Sequence, residues 1–274
     1  MGLNIIPVLF KDGVDLPEET PIYKYLSVDK FLYLLTRQKL YIGKIKNWPD
    51  SFEGTKFDLL QRIHNSSSLA LEDIFASCWT LERDYRGLYP SDSAYRKACE
   101  ELERNGNAAM WETYCKNGGV RIKTTIGKLN SLLERYLNDD VIIYRGEVQY
   151  EALVDWNMSV NLVLPEGHPK EILGLFVKRT PFRYEREYRY IIISKGKDIK
   201  NLSLPIPDLY QFLDEILVCP ATDTTELISD VLLDIGISVF SRRTEDRIFI
   251  NRNQDGKIGC RRSQLYCLRS ESIY

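Results

Sequence analysis

The segment Arg183-Tyr184-Glu185-Arg186-Glu187-Tyr188-Arg189-Tyr190-Ile191-Ile192-Ile193 is the strongest strand signal in the chain. Tyrosine and isoleucine crowd it, and both suit a pleated, half-buried surface. In a strand, alternate side chains share a face. Read so, Glu185, Glu187 and Arg189 point one way, and Tyr184, Arg186, Tyr188 and Tyr190 point the other.

Strand and helix signals alternate irregularly around this segment. On its N-terminal side, a β-like run at 22–25 leads through Ser27, placed as an N-cap, into a helix over 28–38 striped by Phe31, Leu32, Leu34 and Leu35. Further elements are predicted at 40–42 (strand), 58–64 (helix), 75–80 (strand), 94–104 and 108–115 (helices), 120–123 (strand) and 126–137 (helix). Residues 48–54 read as a loop. The strand-rich stretch 141–150 is expected to break at Gly146, and an element over 173–178 to be interrupted by Pro181. C-terminal to the quoted segment come a strand at 213–218, a helix at 225–235 and a strand at 237–240. This order lacks a regular βαβ repeat, so the expected class is α+β. The expected division is an acidic, proline-containing lead-in over 1–20, a main domain over 21–245, and a basic extension over 246–274 packed on it.

Composition sets limits. The 274 residues are 44% apolar and 28% charged with a net charge of −2, an ordinary globular mixture that needs no polyanion as partner. Charge is uneven, however. Between Arg242 and Arg269 eight basic residues face three acidic ones, enough to contact phosphates. The cysteines are scattered without a C-x-x-C pair, and His64 and His168 are the only histidines. Tetrahedral zinc has little to work with, and no metal is expected. No apolar run approaches the ~20 residues that cross a bilayer. With no signal peptide recognised, the expected location is the cytoplasm, with no membrane partner.

The chemistry-bearing candidates begin with the two acids. Carboxylates two positions apart on a strand sit ~7 Å apart, close enough to perturb one another and to address one ligand. Such a glutamate can stabilise an oxocarbenium-like sugar carbon electrostatically. The competing reading is a Glu/Arg ion-pair ladder along an edge strand. Trp111 and Tyr114 are neighbours on a helix face, either core packing or an aromatic wall for a flat ring. Tyr23 and Tyr25 flank Lys24 on the first strand, Ser77 shares a face with Trp79, and Asp50, Phe52 and Glu53 sit on a loop.

These pieces occur in a set order: Tyr23-Lys24-Tyr25, Pro49-Asp50-Ser51-Phe52-Glu53-Gly54, Ser77-Cys78-Trp79, Met110-Trp111 with Tyr114, Gly119-Val120 with Ile122, and Tyr184-Glu185 with Glu187-Tyr188-Arg189. Together they resemble a widespread bacterial family catalogued as a domain of unknown function. Its pattern reads Y-K-Y, N-D-P-F-E, S-F-S, M-W-x-x-Y and E-x-E-Y-R. Here Pro49 stands where that family has Asn, and Ser51 where it has Pro. The family is in turn similar to ADP-ribosyltransferases. That resemblance implies a split mixed β-sheet core flanked by helices and gripping NAD as a substrate. It implies Glu187 as the catalytic carboxylate and Glu185 as activator of the acceptor. Tyr23, Lys24 or Tyr25 would take the first-strand position of the NAD site and Ser77 a later-strand position. Trp111 or Tyr114 would stack on nicotinamide, Arg189 would steady Glu187 or a phosphate, and Asp50 and Phe52 would belong to a recognition loop. The acceptor would be a nucleic acid, a protein or water. Bacterial transferases of this sort are often toxins or phage-defence effectors, some with a neutralising partner. The alternative function is a non-catalytic nucleic-acid-binding module working through the basic C-terminal region.

Overall fold

The computed structural model describes residues 5–48, 50, 52–64, 69–83, 93–137, 141–152, 160–194, 201–221, 225–234 and 259–262. In chain order the elements are β1 (Ile5–Phe10), β2 (Pro21–Ser27), α1 (Val28–Arg37), β3 (Lys39–Lys44), α2 (Thr55–Ile63), β4 (Ile74–Thr80), α3 (Ser93–Asn105), α4 (Ala108–Tyr114), β5 (Gly119–Thr125), α5 (Ile126–Tyr136), β6 (Val141–Glu147), β7 (Gln149–Glu151), β8 (Leu162–Val163), β9 (Val177–Arg179), β10 (Glu187–Ser194), β11 (Leu202–Pro205), α6 (Leu209–Phe212), β12 (Glu215–Val218), α7 (Thr225–Asp234) and β13 (Gly259–Arg262). Two 3-10 turns matter below, Lys170–Phe176 and Thr180–Glu185. The α+β class expected from the sequence is what the chain adopts, with mixed sheet flanked by helices. Among the described residues no helix is long and apolar enough to cross a membrane.

The chain forms two compact units, each assembled from three separate stretches. The first takes Met1–Thr20, Leu40–Leu81 and Ile126–Pro205. Its sheet runs β11-β3-β4-β10-β6-β1-β8. β1 and β6 pair in parallel; β10 is antiparallel to both β4 and β6. β10 is therefore interior and buried along its whole length, as its Tyr/Ile content favours. The register fixes its two faces. Glu187, Arg189, Ile191 and Ile193 lie opposite Thr80, Cys78, Ala76 and Ile74 on β4, while Tyr188, Tyr190 and Ile192 lie opposite Trp79, Ser77 and Phe75. On the first face Ile191, Ile193 and Tyr144 pack with Phe57 of α2 and with Ile172, Leu175 and Phe176 of the 3-10 turn. On the second, the Tyr190 hydroxyl donates to Asn130 Oδ1 on α5 at 2.8 Å.

The second unit takes Pro21–Lys39, Glu82–Thr125 and Ile206–Tyr274. Its sheet runs β13-β12-β5-β2, with β12 parallel to β13 and antiparallel to β5. Helix α1 buries Phe31, Leu34 and Leu35 of the predicted stripe, leaves Leu32 half-buried, and stops at Gln38 in a left-handed conformation. Helix α4 starts at Asn107, whose side chain accepts from the Ala109 amide, and α6 at Asp208, which caps Tyr210 and Gln211.

Several boundaries depart from expectation. The quoted strand begins only at Glu187. Thr180–Glu185 is 3-10, and Arg186 turns the chain through a left-handed residue with φ 42°. Pro181 sits at the start of that turn, where its fixed φ suits the turn and its missing N–H costs nothing. The element expected over 173–178 is mostly 3-10, with β9 following it. The stretch read as lead-in contains β1, an internal strand paired on both sides by β6 and β8. The strand expected at 237–240, most of the basic extension, and Pro49 and Ser51 lie outside the described residues.

Gly146 does not break its strand. β6 runs through it, opposite Val8 on one side and Arg189 on the other. A Cβ there would fall 2.3 Å from the Val8 carbonyl oxygen, so glycine marks the close approach of two backbones. Gly146→Ala should accordingly destabilise the protein by about 1–3 kcal/mol, measured by urea denaturation; an unchanged midpoint would show that β1 is free to move.

Candidate active site

A cluster of buried charges in the first unit is built around β10. Arg189, 1% exposed, donates from Nε to Glu187 Oε1 at 2.6 Å and from Nη2 to Glu187 Oε2 at 2.8 Å. Strand alternation puts these two side chains on one face, so the pair forms within one element. Nη2 also reaches Glu53 Oε2 at 3.1 Å, Nη1 donates to the Leu175 carbonyl, and the Trp48 ring lies 4.5 Å from the guanidinium carbon. Lys178 on β9 adds a second cation. Its ammonium is 2.8 Å from Glu53, 2.5 Å from Glu185 and 3.6 Å from Glu187. The cluster thus gathers three carboxylates around two cations.

Glu185 arrives by a route the sequence did not suggest. It ends a 3-10 turn, and left-handed Arg186 then redirects the backbone into β10. The turn is held by the Leu81 amide, which donates to the Arg186 carbonyl at 2.9 Å. Both acids reach Lys178, but not by sharing a strand face. Tyr150 on β7 completes the surround, its hydroxyl accepting from the Glu187 amide at 2.9 Å. β7 and β9 pair in register, Tyr150 opposite Lys178.

Burial alone would push the Glu187 carboxyl upward, but Arg189 and then Lys178 outweigh it and hold the group down at about 2. Burial likewise disfavours the Lys178 ammonium, and Glu187, Glu53 and Glu185 more than offset this and keep it protonated. The Tyr150 phenol is pushed up by burial and then by Glu187, so it stays neutral. At neutral pH the site is an ionised acid pinned by two fixed cations.

The loop before α2 is tied to the same strands. Asp50 accepts from Arg179 Nη2 at 3.0 Å and from the Phe52 amide at 3.0 Å. The Arg179 guanidinium lies 4.4 Å from the Phe52 ring, and Phe52 is 39% exposed. Glu53, Glu185, Glu187 and Arg189 are therefore brought together, and Asp50 and Phe52 are tied to Arg179, the neighbour of Lys178 on β9. Ser77 is not among them. It accepts from Trp79 Nε1 at 3.0 Å on the opposite face of the sheet, level with Tyr190.

The remaining candidates belong to the second unit. The Tyr25 hydroxyl donates to Glu82 at 2.9 Å and accepts from the Asn107 amide at 2.8 Å. Its ring meets Trp111 edge-on at 4.8 Å. Trp111 Nε1 donates to the Asn105 carbonyl at 2.9 Å. Gly106, with φ 77°, leaves room for both rings; a Cβ there would lie 2.6 Å from Trp111 Nε1. Tyr23 stacks on buried Arg121, which pairs with Glu82 and Glu215 and caps the Leu102 and Glu103 carbonyls. Tyr25 and Trp111 are thus packed and hydrogen-bonded groups, Tyr23 is buried against Arg121, Lys24 is half-buried, and Tyr114 is 41% exposed.

Lys178 and Tyr150 were not identified from the sequence, because their partners lie on other elements. A lysine shortly before an E-x-E segment was the one available signal. No family model matches the chain, and neither the curated proteins nor the solved structures give a significant match.

The depressed Glu187 carboxyl makes stability depend on pH. Its folded value lies below its ordinary 4.5. Its contribution is present above about 4.5 and is lost as pH falls toward about 2. Glu187→Gln should therefore be much less stable than wild type at pH 7, by about 3–5 kcal/mol for a broken buried pair. The gap should close between pH 5 and pH 2 in thermal melts. A constant gap across that window would remove Glu187 as the cause.

Proposed function

We propose that this chain is an NAD-consuming ADP-ribosyltransferase whose working carboxylate is Glu187. The observation that carries the reading is a buried acid kept ionised in a cluster where carboxylates outnumber cations. Buried charge is expensive unless paired, and strongly perturbed groups gather at functional sites. A surplus of negative charge suits a reaction whose transition state gains positive charge.

In that reaction the bond between ribose C1′ and the nicotinamide nitrogen breaks, and its electron pair leaves with neutral nicotinamide. The ribosyl carbon becomes oxocarbenium-like, and Glu187 stabilises it electrostatically. An acceptor oxygen or nitrogen attacks C1′ and gives its proton to Glu185. Arg189 fixes the Glu187 carboxylate in one orientation, and the Asp50–Phe52 loop borders the same strands. The ordered motif set supports the reading independently of the charge cluster. Tyr23, Lys24, Tyr25, Trp111 and Tyr114 enter it through that resemblance alone, and Ser77 faces away. The acceptor class proposed is a macromolecule, nucleic acid or protein.

A second reading has its own observation. Bidentate pairing of Glu187 with Arg189 suits a purely structural ion-pair core. The nucleic-acid-binding alternative rests on a basic stretch outside the described residues apart from the 259–262 backbone.

Nicotinamide release separates these readings. Wild-type protein given NAD with DNA, RNA or a protein extract should release nicotinamide and label one fraction with ADP-ribose. Glu187→Gln should lower that rate by about 10²–10³-fold at a temperature where both proteins are folded by circular dichroism. No release by wild type with any acceptor, or equal rates for both proteins, would end the enzymatic reading.

A further inference from the structure

We propose that Lys178 is the positioning residue of the cluster, its single ammonium holding Glu53, Glu185 and Glu187 together so that Glu187 remains a carboxylate beside two other acids. The inference rests on reading Glu187 as the working group. Three acids come from three elements: the loop before α2, the 3-10 turn Thr180–Glu185, and β10. Lys178 is 2.8, 2.5 and 3.6 Å from them, and its side chain is 7% exposed. An ammonium has three N–H donors on a compact charge, which matches three separate carboxylates better than a planar guanidinium does.

The other cation cannot take over. Arg189 has Nε and Nη2 on Glu187, Nη2 also on Glu53, and Nη1 on the Leu175 carbonyl. Among the described residues, the other groups the structure sets against Glu187 and the ammonium are uncharged or apolar: Tyr150 from β7, Cys78 from β4, and the Phe182 ring 4.8 Å from the ammonium. Take Lys178 away, and like charges a few ångströms apart press one acid to bind a proton. A proton on Glu187 removes the charge that the ribosyl cation needs. Lys178 therefore acts through Glu187 and exchanges no proton itself.

Carboxyl carbon NMR on protein labelled with ¹³C at glutamate Cδ tests this, with Glu187 assigned from the signal lost in Glu187→Gln. In Lys178→Met the Glu187 titration should move up by at least about one pH unit. In the double variant Lys178→Met/Glu185→Gln, where an acid leaves with the cation, it should return toward wild type. If wild type releases nicotinamide, the acid limb of its kcat/KM profile should move up in Lys178→Met. If wild type releases none, the enzymatic reading falls, while the titration still decides the role of Lys178. A Glu187 titration unchanged in Lys178→Met overturns the proposal. If Lys178→Met alone fails to fold, refolding by the added Glu185→Gln supports it. Failure of both variants to fold makes Lys178 a structural ion-pair partner only and overturns it.

Discussion

An ionised carboxylate survives burial only where cations meet it, and the first unit is arranged around that constraint. Glu187 and Arg189 form a two-point pair on the central strand. Breaking such a pair costs about 3–5 kcal/mol, so whatever holds Arg189 in place is held in return. The guanidinium engages Glu53, the Leu175 carbonyl and the Trp48 ring. One side chain thereby fixes the loop before α2 and the 3-10 turn that covers the sheet. Lys178 does the same for β9 and for the turn ending at Glu185. The same unit holds two more ion pairs, the buried Lys56–Glu151 and the partly exposed Asp50–Arg179.

The sequence reveals those features that depend on neighbours along the chain. Helices α1, α4 and α5 begin and end within a residue of their expected bounds, because a helical repeat is local. The shared face of Glu187 and Arg189 follows from strand alternation. Glu185 does not, because Arg186 adopts a left-handed conformation that a non-glycine residue takes only when its surroundings compel it. The compelling contact, from Leu81, lies more than a hundred positions away. Lys178 and Tyr150 escaped for the same reason, since each acquires its meaning from a partner on another element. β1 was read as lead-in because acids and prolines follow it; its partner β6 comes far downstream.

The aromatic motifs show how packing and recognition can share one pattern. Trp111 and Tyr25 meet edge to face beside Gly106, with each polar tip satisfied by backbone or by Glu82. Buried tyrosine and tryptophan need such partners, so a motif rich in them with a nearby glycine is explained by the interior of the second unit. Ser77 tells a similar story. Its hydroxyl serves Trp79, and the register of β4 against β10 sends it away from Glu187.

The central position of β10 has a consequence for biosynthesis. β1 leaves the ribosome more than a hundred residues ahead of β6 and β8, which flank it. β4 must likewise wait for β10. Long-range pairing of this kind folds slowly and leaves strand edges open meanwhile. The nascent chain therefore carries apolar segments without their partners for much of its synthesis, and a holding chaperone would find its natural client in that interval.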